Sequence, residues 1–283
     1  MRLIPFKFQL NCNKIKVWLK NLHKKQVSSM ISAPFQSRPA TLDITWELLP
    51  DDYVLPDDPV ENILQPALAA FLNEILGLHG FIQPNAIVAT DFGICATVNS
   101  KTVVKAPDWV WIPNAEPPKN KRIRRSYTPR AEGDLPAIVM EFLSESECGE
   151  YSMNSNYPYG KWWFYERILK VPVYIIFNPE VGELEVYTLK DSRYEREQST
   201  DKGLYWLDSL GLFLGVWQGE RFGSNEFWLR WSDRVGELLP CGIEIIEQER
   251  QLVEQQQQLV EQERQRNERL VSQLRSLGVA PDV

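Results

Sequence analysis

Three residues in this chain have the types and settings from which hydrolytic chemistry is built. Asp108 sits in KAPDWVWI, where Pro107 fixes the backbone at the mouth of an apolar, β-prone run. Glu141 sits in LPAIVMEFLS, a nearly continuous apolar stretch that reads as a strand buried on both faces. A carboxylate in such a strand is costly unless it is paired, hydrogen-bonded or metal-bound. Taken alone, Glu141 serves equally well as a structural acceptor. Two acids on strands that can be neighbours favour a shared cation, and oxygen ligands suit magnesium or manganese rather than zinc. Lys161 opens the helical stretch YGKWWFYERILK. Lysines there are more commonly solvated or laid along apolar surface. Beside such a cation, however, a lysine can orient the attacking water and offset charge building on a phosphate.

Other chemistries are excluded by what the sequence lacks. There is no GxxxxGK[ST] phosphate loop, no GxGxxG turn after a strand and no GxSxG elbow. His23 and His79 are the only histidines, and His79 stands beside Gly80 at a helix end, where capping or surface exposure is expected. Cys12, Cys95, Cys148 and Cys241 are far apart and form no CxxC pair, so they read as buried apolar thiols in a reducing cytosol. No apolar run has transmembrane length, so the chain is not expected to span a bilayer or to have a membrane partner, and the cysteine usage predicts a cytoplasmic protein.

The elements that must position these residues follow from hydrophobic period. Residues 62–80 predict a helix with Ile63, Ala67, Ala70, Phe71 and Leu78 on its apolar face and Pro66 near its first turns. IVAT, ICATV and VVKAPDWVWI read as strands, followed by a Pro-, Lys- and Arg-rich loop from Pro113 to Pro136. The order MEFLS, WWFYERI, VYIIF predicts a strand–helix–strand crossover with parallel neighbours. ELEVYTL and RYERE alternate like a hairpin at a sheet edge, and LFLGVW and FWLRW add further β-structure. From Ile243 the composition turns to Glu, Gln, Arg and Leu, with Leu252 and Val253 recurring one heptad later as Leu259 and Val260. That pattern fits either a weak coiled coil or a solvated single helix. Three segments are therefore expected: a basic extension over 1–42, a main domain over 43–240 and a terminal helix over 241–283.

Charge is unevenly placed. The first forty residues hold Arg2, Lys7, Lys14, Lys16, Lys20, Lys24, Lys25 and Arg38 and no acid. Removing those eight charges from the total of −7 leaves −15 on the remainder. The leader's composition fits a transit peptide, a basic extension or an over-long gene start. Any nucleic-acid surface on the acidic remainder must be local. One candidate is KNKRIRRSYTPR, where Lys119, Lys121, Arg122, Arg124, Arg125 and Arg130 could contact phosphates and Tyr127 could stack. The alternative is a solvated loop pairing with the chain's own acids.

The runs APDWVWIP, PAIVMEFLSESE and YPYGKWWFYERILKVPVYIIFNPEVGELEVYTL resemble the Uma-type family of restriction-endonuclease-like proteins, in the PD-(D/E)XK nuclease superfamily. The resemblance covers roughly residues 45 to 240. It implies an α/β restriction-endonuclease-like core, a central mixed β-sheet flanked by helices. It places Asp108 at the PD position and Glu141 at the (D/E) position, and the lysine expected two residues on is replaced by Leu143. The superfamily can carry that lysine on the following helix, which makes Lys161 the matching residue. Glu74 corresponds to an extra metal-associated acid of some relatives, and Ser144 and Tyr165 occupy family motif positions. The implied activity is magnesium- or manganese-dependent cleavage of DNA, with one or two ions held by Asp108 and Glu141. A homodimer is implied as well, with the terminal helix as one candidate contact. The alternative is a nuclease fold that binds or assembles without cutting.

Overall fold

Among the described residues, alternating and continuously apolar runs form thirteen strands, as their period requires. The computed structural model describes residues 42–48, 50, 63–118, 123–144 and 149–278. Residues 1–41 of the basic extension expected over 1–42, with Cys12 and His23 among them, and Cys148 lie outside the described residues.

In chain order the first strands are β1 (Ile44–Thr45), β2 (Ile87–Ala89), β3 (Gly93–Val98), β4 (Lys101–Lys105), β5 (Trp109–Ile112), β6 (Ser126–Tyr127) and β7 (Ile138–Phe142). After them come β8 (Val173–Asn178), β9 (Glu183–Lys190), β10 (Arg193–Arg196), β11 (Tyr205–Leu207), β12 (Leu212–Arg221) and β13 (Ser224–Ser232). The helices are α1 (Leu64–Leu78), α2, whose opening turn Lys161–Trp163 widens into π-type turns over Phe164–Leu169, and α3 (Gly242–Ser276).

Six strands make the central mixed sheet in the order β10-β9-β8-β7-β5-β2. Only β7 and β8 run parallel, joined through α2, as the strand–helix–strand order predicts. β9 and β10 form the expected hairpin with β10 at the edge. The run VVKAPDWVWI does not stay in one sheet. It breaks before Asp108, so β4 pairs with β3 in a smaller sheet while β5 joins the central one. β12 and β13 form a long hairpin that, with β11, makes a separate three-stranded sheet.

Strand alternation divides the central sheet into two faces. Trp109, Trp111, Ile138, Met140, Ile175 and Phe177 point toward α1 and the three-stranded sheet, where Leu68, Leu72, Trp228 and Trp231 complete the core. Val110, Val139, Tyr174 and Ile176 point the other way, against β3, β4 and α2. The helix face of α1 differs from expectation. Leu68, Phe71, Leu72, Ile75 and Leu76 are buried, whereas Ile63 and Leu78 are 92% and 52% exposed and Ala70 is also exposed. α1 is apolar nearly all round, so its sequence admits more than one stripe, and docking on β13 selects the one that lies inward. Trp231 Nε1 donates to Leu72 O at 3.1 Å across that junction. Pro66 occupies the first turn, where its missing N–H costs nothing, and Gly80 takes the left-handed conformation just past the end.

Candidate active site

β-register brings the two acids together. Trp109 lies opposite Met140 in the antiparallel β5–β7 pair, and one step further along that register sets Asp108 opposite Glu141. Both carboxylates therefore belong to the face that packs against α2. Asp108 Oδ2 accepts a short hydrogen bond from the Phe142 N–H. The Phe142 carbonyl in turn accepts from Gln65 Nε2 at 2.7 Å, tying this end of β7 to α1. Asp108 is 8% exposed and Glu141 fully buried.

Lys161 and Tyr165, one turn apart on α2, both reach Glu141. Lys161 Nζ lies 3.1 Å from Glu141 Oε2, and the Tyr165 hydroxyl donates to Oε1 at 2.9 Å. α2 can come this close because Gly160 carries no side chain. A methyl on Gly160 would run into the backbone carbonyl of Ser152. The π-type turns that follow widen the helix beneath Tyr165, a local irregularity frequent at functional sites.

One acid was missed by sequence reasoning. Glu150, in the single turn Gly149–Tyr151, is buried, and its Oε1 lies 3.8 Å from Lys161 Nζ. It follows a stretch rich in small and polar residues, where no period marks an inward position. Two supports hold it. Tyr174 donates to the Glu150 carbonyl at 2.9 Å, and the adjoining Tyr151 hydroxyl donates to Glu185 Oε2 at 2.8 Å. Glu185 shares the row of Glu141 through Ile176 and is also buried, with Tyr187 at 2.8 Å and Arg196 at 3.1 Å. In ELEVYTL it alternates like a solvent-facing residue; the turn above covers it.

Burial pushes the Glu141 carboxyl up to about 7, against the opposing attraction of Lys161. For Lys161 burial works against the ammonium, but the carboxylates of Glu141, Asp108 and Glu150 outweigh it and raise its affinity for the proton. Burial, then the neighbouring Glu141 charge, raises Tyr165 well above the usual phenol value, so it stays a neutral donor. Asp108 and Glu141, with Glu150 nearby, bring carboxylate oxygens close to the Lys161 ammonium. Hard oxygen donors fit magnesium or manganese, which keep several waters and take one or two carboxylates. Among the described residues no three His, Cys, Asp or Glu side chains form a group that could hold a metal ion.

Glu74 does not join them. It is carried by α1, which packs on the opposite face of the sheet, and its Oε1 accepts the Gly242 N–H at 2.8 Å, capping α3. Ser144 is half-buried just past β7. The basic loop is corrected in part. Tyr127 is fully buried and donates to Asp134 O at 2.6 Å, so it offers no open ring for stacking. Arg124 lies over that ring at 5.5 Å and is spent on Glu132 and the Glu116 carbonyl. Arg125 and Arg130 are exposed, and Lys119, Lys121 and Arg122 lie outside the described residues. His79 is the C-cap residue of α1, its backbone N–H donating to Ile75 O at 3.1 Å, and its Nε2 lies 2.8 Å from Pro240 O. Cys95 and Cys241 are buried free thiols.

A mixed sheet with one parallel pair, a crossover helix and an Asp–Glu pair answered by a helix lysine define a restriction-endonuclease-like α/β protein. The chain belongs to the Uma2 family, described as "Putative restriction endonuclease", which it matches over residues 35–217. No curated protein matches it. The family is nuclease-like, and proteins of restriction-endonuclease type generally use divalent metals. Among the described residues no helix is long and apolar enough to cross a membrane.

Proposed function

We propose that this chain is an endonuclease that hydrolyses DNA phosphodiester bonds with magnesium or manganese, using Asp108, Glu141 and Lys161. The observation that carries this reading is the reach of Lys161, whose ammonium lies 3.1 Å from Glu141 although it comes from the crossover helix. On this reading Lys161 takes the role of the lysine that position 143 lacks. Asp108 and Glu141 would hold the cation, and Tyr165 fixes the Glu141 carboxylate. A bound divalent ion supplies positive charge to the phosphate and lowers the pKa of water. Lys161 has three donors, of which Glu141 takes one, so it can also orient the attacking water and face charge developing on the phosphate. In the reaction the water oxygen forms a bond to phosphorus, the ester P–O bond breaks, and the departing oxygen takes up a proton.

The second reading is a nuclease fold that binds DNA without cutting it. It is favoured by the full burial of Glu141, both of whose oxygens already have partners. Plasmid nicking with magnesium, compared among wild type, Asp108→Ala and Glu141→Ala, separates the two. Loss of nicking in both variants supports catalysis. Equal nicking by all three proteins points to a contaminant. Salt-sensitive binding with no cutting by wild type selects the second reading.

A further inference from the structure

Beyond its first turns α3 is an exposed arm. From position 247 to 276 every residue is exposed except the half-buried Val271. Its 35 residues, at about 1.5 Å each, make a rod of roughly 50 Å. The base of the rod is fastened firmly. Arg230, 1% exposed, donates to both Glu244 oxygens at 3.1 and 2.9 Å, and Glu244 Oε2 also accepts the Cys241 N–H at 2.8 Å.

The arm carries one apolar stripe that the described chain leaves bare. Leu252, Val253, Leu259 and Val260 form its proximal block, and Leu270, Leu274 and Leu277 its distal block, each at least 38% exposed. Between the blocks the same stripe holds Glu263 and Arg266, three residues apart on one helix face. Charge along the arm is segregated too. Residues 242–263 contain six Glu and one Arg, whereas residues 264–277 contain four Arg and one Glu.

We infer that α3 pairs with α3 of a second copy of this chain, in antiparallel orientation. A two-fold axis passing between Arg264 and Gln265 brings Leu252 to the partner's Leu277 and Leu259 to the partner's Leu270. The same axis sets Glu263 against the partner's Arg266, twice over, because the interface is isologous. The acidic half of each arm then faces the basic half of the other. A parallel, in-register pair would put Glu263 on Glu263, Arg266 on Arg266 and acidic half on acidic half, each unfavourable on a shared seam. The solitary helix has its own ion pairs, Arg264 with Glu261 and Glu268 and Arg250 with Glu254, but these leave the apolar stripe in water. Antiparallel pairing also holds the two cores at opposite ends of the rod, since each is fastened at the base of its own arm.

Sedimentation equilibrium of the full chain at micromolar concentration tests this. The expected result is a dimer. Glu263→Arg and Arg266→Glu should each weaken it by at least about tenfold, because each sets like charges together at two places. The combined exchange, which restores opposite pairs only in the antiparallel arrangement, should recover most of that loss. Because it conserves composition and helix-forming residues, it also separates pairing from simple unfolding of the arm. A monomer throughout, a dimer indifferent to the single changes, or a double exchange no tighter than the singles would each overturn the pairing.

Discussion

Lys161 Nζ lies 3.1 Å from Glu141 Oε2, on the same side of the central sheet as Asp108. The contact joins the start of α2 to the penultimate residue of β7, and on the proposed function it takes the place of a lysine two residues beyond the acid. The first prediction follows from that substitution of place. Lys161→Met should lower magnesium-dependent plasmid nicking by roughly 10²- to 10³-fold, the scale of losing one group that answers transition-state charge. Adding Leu143→Lys to that variant should restore at least about tenfold, since Leu143 extends β7 on the Glu141 face and is only half-buried. A double variant as inactive as Lys161→Met would show that the ammonium must come from α2.

Tyr165 donates to the ionised form of Glu141 and so opposes its protonation. Tyr165→Phe should therefore move the acid limb of the pH–rate profile upward, by about half a unit to one unit. The rate on the alkaline plateau should change little. A lower plateau with an unmoved limb would assign Tyr165 to packing alone.

Glu141 also links stability to pH. Its carboxyl is raised to about 7 in the folded protein from an ordinary value of 4.5, so the folded state binds this proton more tightly than the unfolded chain. The resulting stability is complete below about pH 4.5 and is lost as pH rises through about 7. In metal-free buffer the melting temperature of wild type should accordingly fall relative to Glu141→Gln across that interval. Magnesium should reduce the fall, because a cation binds the ionised carboxylate. Parallel melting curves with pH would show that Glu141 is not perturbed in this way.

Gly160→Ala probes how closely α2 approaches the preceding loop. The added methyl meets the Ser152 carbonyl, which is fixed by the Trp163 N–H at 3.3 Å. Thermal unfolding should show a loss of about 2 kcal/mol or more, in the range of overpacking strain. Nicking activity should fall further than stability alone explains, because Lys161 is the next residue. A fully active, fully stable variant would mean that the loop yields at no cost.

The foot of the arm offers a stability test apart from the site. Arg230→Met removes a buried guanidinium held by Glu244 and by the Leu239 carbonyl at 2.9 Å. Because Glu244 keeps 36% of its side-chain exposure and can be resolvated, the loss should be about 2 kcal/mol rather than that of a fully buried pair. Denaturant unfolding reads it directly, and an unchanged midpoint would show that the pair does not fasten α3.

Period and composition alone determined much of this protein. Continuous apolar runs mark β7 and β8 as buried strands, put Glu141 within one and Asp108 at the mouth of the run that forms β5, and order β7, α2 and β8 as a parallel crossover. The Glu-, Gln- and Arg-rich terminus was legible as a long helix for the same reason, since periodicity is a property of one segment by itself. Tertiary structure decided which layer covers each face, and with it the partners of the polar groups. Glu150 and Glu185 carry no local sign of burial, yet a turn folded over the sheet encloses both. Glu74 looked available on its helix, but α1 docks on the face away from Asp108 and leaves it to cap α3. Tyr127 and Arg124 look like surface groups in a basic loop until Asp134 and Glu132 engage them. A segment's period records how it meets its own neighbours along the chain. Which distant carboxylate answers a given lysine depends on packing between elements, and only the assembled layers supply that distance.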